Sequence, residues 1–372
     1  MSTSGDYRVK ENELVGVYRS VGGAVTAANY YSMERIIRKD ELTGARVTQL
    51  TSFPVLNHTL YYHCPCFTPD SKTLIFLSYR GDGRVSSPDL WRVDLDGTDL
   101  RRVTNREWLA GFIISPDGKR VYAQDGGTLL SWSMEGGEPI ELGHVDGVSY
   151  AATVLGSITA DGKWYTSSAI MDDGSTVLVR YATDGDEAAV LLTREFLTHV
   201  QVDQSGSDRV LFGAPPDAHD GTNLWICESD GSDVRRLSLV NSTGHFGWFG
   251  KTGKVFSTVT EPFGSVVVTG EGQETCLVAR GGHFWHASGS EDGRWIAADT
   301  NWPDMGVMLI NTESGAWAPI CMSGASHGHP QWTHPHPMLS PDARHVVINS
   351  DRTGIGQVYS IEIPEEIREQ IS

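Results

Sequence analysis

Gly111-Phe112-Ile113-Ile114-Ser115-Pro116-Asp117-Gly118-Lys119-Arg120-Val121-Tyr122-Ala123 reads as two short strands about a tight turn. Apolar and β-branched residues flank a Pro-Asp-Gly corner, and Asp-Gly supplies the positive φ that such corners need. The corner recurs as Thr68-Pro69-Asp70-Ser71-Lys72 and Thr159-Ala160-Asp161-Gly162-Lys163. Weaker copies are Gln204-Ser205-Gly206-Ser207-Asp208, Lys251-Thr252-Gly253-Lys254, Ser290-Glu291-Asp292-Gly293-Arg294 and Ser340-Pro341-Asp342-Ala343-Arg344. The spacing is roughly 45 residues, inside the range of propeller blades.

Each copy has similar surroundings. A third strand and second turn follow, as in Leu90-Trp91-Arg92-Val93-Asp94-Leu95-Asp96-Gly97-Thr98, then a fourth strand, as in Leu100-Arg101-Arg102-Val103-Thr104. Four antiparallel strands make a propeller blade, and seven phrases predict an all-β, seven-bladed β-propeller. The last copy leaves room for only three strands, ending at Gln357 to Ile363. Thr43 to Thr51 reads as an outer strand with no blade before it, so the N-terminal strand is expected to close the last blade and remove exposed edges. One domain is expected over 1–372, with an N-terminal extension (1–40), the blades (41–363) and a short, charged tail (364–372) with helical character.

Composition narrows the partners. Lys and Arg number 29 against 47 Asp and Glu, a formal charge of −18, which repels nucleic acid and anionic membranes. It also repels a small anion unless a bound cation or basic cluster reverses the local field. The start, Met1 to Asp6, lacks a basic-then-apolar leader, and no apolar run is long enough to span a bilayer. Five scattered cysteines (Cys64, Cys66, Cys227, Cys276, Cys321) suggest no disulfide framework and read as buried apolar residues. The expected compartment is the cytoplasm.

Chemistry concentrates in Gln331-Trp332-Thr333-His334-Pro335-His336-Pro337. In an extended segment, residues i and i+2 face one way, so His334 and His336 offer two imidazoles to one point, with the Gln331 carbonyl oxygen nearby. Such a partial shell suits Mn²⁺, Zn²⁺, Fe²⁺ or Ni²⁺. The plain alternative is a pair of channel histidines bonded to backbone carbonyls. The innermost strand of each blade ends at the turn phrase, so residues just before a phrase line the hub. His58, His199, His245, His286, His334 and His336 all fall there, although the chain has only 13 histidines. Arg80 and Arg352 follow inner or second strands and offer forks for a substrate carboxylate, or are solvated turn residues.

These segments resemble the oligogalacturonate lyases, seven-bladed propellers that cleave short pectin fragments by β-elimination. The likeness is closest over Thr333 to Pro337, Ser340-Pro341-Asp342 and Ser350-Asp351, good over Asp40 to Thr51 and His58 to Thr68, and poor in blades two and three. It implies His286, Gln331, His334 and His336 as ligands of a manganese-like ion, His245 as base, and His58 and His199 in the substrate pocket. His283, on the same segment as His286, is the competing ligand. Asn223 stands where the family has an arginine, Phe246-Gly247-Trp248 replaces Glu-Phe-Trp, and Ser326 to Pro330 adds His327 and His329. The implied substrate is a short acidic oligosaccharide such as digalacturonate. A metal on the uronate carboxylate would acidify the adjacent C–H, and a neutral histidine would take the proton. A lyase or isomerase for another acidic sugar, or a non-catalytic binding propeller, are the alternatives.

Overall fold

The computed structural model describes residues 33–372 except 81–86, 186, 215–222, 240 and 329. Within them the strands form seven antiparallel sheets. Blade 1 spans Asn57–His58, Thr73–Ser78, Asp89–Asp94 and Arg101–Arg102. Blades 2 to 6 follow in sequence order, each paired strand to neighbouring strand, and their innermost strands begin at Ala110, Val148, Thr198, Ser242 and Phe284. The seven-bladed propeller read from the turn phrases is the observed fold.

The turn phrase works by saturating a carboxylate. Asp117 Oδ1 accepts from Ser115 Oγ at 2.6 Å and from the Lys119 N–H at 3.1 Å, while Ser115 Oγ accepts from the Arg120 N–H. These bonds hold the Asp117 carboxyl below its usual range. The Thr68–Asp70, Thr159–Asp161, Ser290–Asp292 and Ser340–Asp342 pairs repeat the arrangement. Gly118 takes φ +71°, and a Cβ there would sit 2.7 Å from Pro69 Cδ. Consecutive corners therefore interlock around one end of the channel.

Blade 7 closes the ring. Met338–Leu339, His345–Ser350 and Gln357–Glu362 come from the C-terminal end, and Arg46–Gln49 pairs with Gln357–Glu362 in the register Val47↔Ile361, Thr48↔Ser360, Gln49↔Tyr359. The N-terminal strand thus takes the outer position expected from the sequence. The boundary at residue 40 needs correction: Ile36–Lys39 pairs with Arg46–Gln49 as a fifth, exposed strand. The hairpin is set by Asp40, whose Oδ1 accepts from the Leu42 and Thr43 N–H groups, with Gly44 at φ +74°. The rest of the expected extension (1–32) lies outside the described residues. The tail forms a helix, Glu365–Ile371, whose Ile367 and Ile371 are buried in a cluster with Trp295, Leu309 and Val346.

Four cysteines are buried as expected, but Cys276 is exposed, on the outermost strand of blade 5 where no further sheet covers it. No helix among the described residues is long and apolar enough to cross a membrane.

Blade 1 departs from the repeat at the hub. Its innermost strand stops at His58, and the chain returns to the ladder only at Phe67, which bridges Leu74. Between them a turn, closed by Cys64 N–H to Tyr61 C=O, carries Tyr61, Tyr62 and His63 across the channel. Tyr62 is fully buried against Phe249, Phe256 and Phe284 of blades 5 and 6.

Closure is testable through Leu50, fully buried just after the closing strand, with its N–H on the Val358 carbonyl. Leu50→Ala is expected to cost about 2–5 kcal/mol of unfolding free energy, measured by urea denaturation.

Candidate metal centre

The innermost strands do not run straight through the hub. The ladder register breaks between Thr198 and Gln201 in blade 4, between Ser242 and Phe246 in blade 5, and between Phe284 and Ala287 in blade 6. His199, His245 and His286 sit within these three bulges. A bulge turns a strand locally and re-aims a side chain, which is how residues of successive blades come to face one another. In blade 7 the expected extended segment is replaced by a 3₁₀ turn, Gln331–Thr333, followed by His334 at φ −91° and His336 at φ +46°. The i, i+2 argument therefore does not describe this stretch. The left-handed turn at His336, which Pro335 and Pro337 frame, brings the two rings together instead.

His286, His334 and His336 are all buried, and each offers a ring nitrogen within 4.8 Å of the others. Ring centroids lie 4.2 Å apart for His286–His336, 5.4 Å for His286–His334 and 5.8 Å for His334–His336. His286 Nε2, His334 Nδ1 and His336 Nε2 have no hydrogen-bond partner. The opposite nitrogens explain the tautomers. His286 Nδ1 meets Asp299 Oδ2 at 2.9 Å, and His334 Nε2 meets the Gly328 carbonyl at 3.0 Å. Both partners only accept, so those nitrogens carry the protons and the lone pairs face the cluster. Three buried ring nitrogens without partners suit a cation of borderline hardness.

Asp299 was not visible as a site residue. It is fully buried, and besides the imidazole it accepts from the His286 N–H at 2.7 Å and the His336 N–H at 3.3 Å. Its signal in the sequence is a carboxylate at the end of the apolar run Trp295-Ile296-Ala297-Ala298.

His245 lies beside the triad, its ring 4.4 Å from His286 and 4.8 Å from Trp285. His199 packs 5.8 Å from Tyr61 and 5.2 Å from His63. His58 bonds the Thr59 carbonyl through Nδ1 and stacks near Trp332 at 6.3 Å. Tyr61 touches His336 at 4.4 Å. His63, absent from the sequence reading, joins this group beside His199. Its signal is the ten-residue gap between His58 and Thr68, against four between His286 and Ser290. The competitor His283 is separate from the triad, edge-on to Phe263 at 5.6 Å.

Other expected residues stand differently. Gln331 is exposed in the 3₁₀ turn and is not among the buried groups. Arg80 is buried, its two terminal nitrogens on Glu34 at 2.5 and 2.7 Å and its guanidinium between Phe53 and Trp91. That pairing contradicts a substrate-binding fork: the guanidinium already holds a carboxylate and ties residue 34 to blade 1. Arg352 binds Ser350 and the Met322 and Ser323 carbonyls and stacks on Tyr359, so it too secures loops. Asn223 has a buried Oδ1 without a partner. His327 sits 5.8 Å from His334 and is drawn to Asp304, whereas His329 lies outside the described residues.

Burial, reinforced by neighbouring imidazoles, holds His63, His245 and His336 well below the usual imidazole range and His199 at about 4. His58 and His334 are lowered in the same direction, chiefly by burial. A cavity of about 490 Å³ occupies the other end of the channel, lined by turn-phrase residues such as Pro116, Ala160 and Pro341, with Tyr62 and His63 at its roof.

No family model matches the chain. It is 22% identical to an oligogalacturonate lyase of Dickeya dadantii over 88% of this chain and 96% of that protein. It also resembles the crystal structure of an oligogalacturonate lyase from Vibrio parahaemolyticus, with TM-score 0.78 and 20% identity over 91% of this chain and 99% of that one. An oligogalacturonate lyase in complex with manganese matches equally, with TM-score 0.78, 20% identity, and coverage of 91% and 98%. The resemblance read from the sequence is thus borne out along nearly the whole chain.

The depressed imidazoles carry a sign. Their folded pKa lies below the unfolded value, so their contribution to stability is full above pH ~6.5 and is lost as pH falls and the unfolded chain takes up protons that the fold refuses. For His199 that window runs from 6.5 down to about 4. Thermal unfolding of metal-free protein is expected to show a falling Tm across it, with a shallower fall in His199→Gln.

Proposed function

We propose that the protein is a metal-dependent lyase that cleaves short oligogalacturonides by β-elimination. The observation that carries this reading is the convergence of three unpartnered ring nitrogens on His286, His334 and His336 with His245 against them. The likeness to lyases in sequence and fold supports the reaction class. The manganese complex of one relative supports Mn²⁺ as the cofactor, with Zn²⁺, Fe²⁺ and Ni²⁺ suited to the same donors.

The ion would be held by the three histidines, with the Gln331 amide oxygen as the further donor the resemblance implies. Bound there, it would withdraw charge from a uronate carboxylate and lower the cost of negative charge on the adjacent carbon. His245, neutral because burial depresses its pKa, accepts the proton from that carbon. His58 and His199 line the remaining pocket. The leaving glycosidic oxygen needs a proton. Tyr62 is bound to the Phe246 carbonyl, and neutral His199 is a feeble acid. Tyr61 keeps its phenolic proton, since burial and Asp299 raise its pKa, and its ring lies 4.4 Å from that of His336. Tyr61 is therefore the donor we assign. The substrate is a small acidic oligosaccharide, and the compartment is the cytoplasm.

A second reading, an acidic sugar other than galacturonate, is favoured by one observation. Asn223 replaces the family arginine and leaves a buried amide oxygen unsatisfied, so the carboxylate contact differs from the family's. A panel of uronate disaccharides separates the two.

The test joins metal content with activity. Purified protein is expected to hold about one divalent ion per chain and to raise ultraviolet absorbance with di- or trigalacturonate. His336→Ala is expected to lose both, since removing a ligand opens a three-histidine shell. Metal-loaded protein that leaves every uronate intact sinks the proposal.

Tyr61→Phe separates the two proton transfers. Elimination is expected to fall about 100-fold or more, while exchange of the substrate's acidic C–H into deuterated water persists. Equal loss of both would remove Tyr61 from the donor role.

A further inference from the structure

The bulge that carries His245 also carries its hydrogen-bond partner. Thr243 and His245 lie on the innermost strand of blade 5, Ser242–Trp248, and Gly244 between them takes φ +88°. Thr258 lies on the next strand, Val255–Thr260, and is fully buried. Because the ladder is interrupted between Ser242 and Phe246, side-chain hydroxyls take up part of the bonding here.

Four distances define a chain. Thr258 Oγ1 lies 2.8 Å from the Trp285 carbonyl, one residue before His286. Thr243 Oγ1 lies 2.6 Å from Thr258 Oγ1. His245 Nδ1 lies 3.0 Å from Thr243 Oγ1, and the His245 backbone N–H reaches the same oxygen at 3.3 Å.

Counting hydrogens fixes the direction. A carbonyl only accepts, so the Thr258 hydroxyl donates to Trp285. Its other near carbonyl, that of His245 at 3.5 Å, leads to the same conclusion. Thr258 therefore accepts from Thr243, whose only hydroxyl proton is then used. Thr243 can only accept from the imidazole, so the His245 proton is on Nδ1 and the lone pair is on Nε2. Thr243 Oγ1 ends with one hydrogen donated and two accepted, which fills its capacity.

We infer that Thr243 and Thr258 are positioning residues that hold His245 in the Nδ1–H tautomer and so present Nε2 as the basic nitrogen. This rests on the reading of His245 as the base. The relay ends on blade 6 beside a triad histidine, so the orientation of the base is set by how blades 5 and 6 dock. Without it, an isolated imidazole distributes its proton between both nitrogens, and one of the two arrangements has no lone pair to offer a substrate.

The experiment uses full-length protein loaded with zinc, which is diamagnetic, and ¹⁵N-labelled histidine rings. Long-range ¹⁵N–¹H correlation reports which nitrogen bears the proton, and the His245 signals are assigned by their loss in His245→Gln. Wild type is expected to show Nδ1–H. Thr243→Ser, which keeps the hydroxyl, is expected to match it. Thr243→Val and Thr258→Val are expected to populate Nε2–H and to lower kcat about 10-fold, with KM and zinc content within twofold of wild type. Thr258 does not touch the imidazole Nδ1, so a tautomer change in Thr258→Val is not a packing effect on the ring.

Nε2–H in wild type, or an unchanged tautomer in both valine variants, overturns the inference. A tautomer change with kcat unaltered overturns the positioning role. The spectra need no substrate. If the tautomers behave as expected while no uronate is cleaved, the lyase reading fails rather than the relay.

Discussion

The antiparallel pairing of Arg46–Gln49 with Gln357–Glu362 is the interaction on which everything else depends. Residues of blades 1, 4, 5, 6 and 7 meet at the hub, and none of these blades alone holds more than a fragment of the site. A propeller whose last blade lacked its outer strand would expose an edge and loosen the packing between its ends. The pairing is reinforced from both sides. Thr51 Oγ1 bonds Gln357 Oε1 at 2.6 Å, and Asp40 and Thr43 reach the backbone of Met322 and Ile320 in blade 6. Arg80 with Glu34 belongs to the same closure, and this explains why that arginine serves the ring and not a ligand.

Once the ring is closed, the hub poses an electrostatic problem. The chain carries a formal charge of −18, yet its centre is packed with imidazoles. Protonating several histidines there would place like charges a few ångströms apart in a poorly solvated space, so burial lowers the pKa of His63, His199, His245 and His336. Neutral imidazoles still need a rule for where each proton sits. Asp299 and the Gly328 carbonyl provide it for two members of the triad, and the Thr243–Thr258 pair provides it for His245. The outcome is a set of unpartnered ring nitrogens at the hub, an arrangement that suits a cation.

Much of this was legible in the sequence because the fold is a repeat. The Pro-Asp-Gly corners are local chemistry, so seven of them announce seven blades, and the orphan strand near Val47 announces closure. The histidines were legible by their distance from those corners. What stayed hidden depends on backbone irregularity. The bulges at His199, His245 and His286 leave no compositional mark, and the left-handed turn at His336 contradicts the extended reading that first linked it to His334. Arg80 misled because its partner, Glu34, lies in a segment that the repeat did not include. Asp299 was obscured by its place on a second strand, after a turn phrase, whereas the hub residues were sought just before one.

The plug from blade 1 decides which end of the channel can do chemistry. Beneath it lies the 490 Å³ cavity, bordered by Ile113, Ile114, Ile158 and the prolines of the turn phrases. That space has volume but no cluster of unpartnered ring nitrogens, and its walls repeat from blade to blade as structural corners. At the histidine end Tyr61 and His245 lie within ring-contact distance of the triad, and His199 packs on Tyr61. Buried lone pairs are costly to leave unsatisfied, whereas an apolar hollow can simply fill with water or stay empty. The fold tolerates that cost at the histidine end, and a function that occupies those lone pairs is the physical reason to tolerate it.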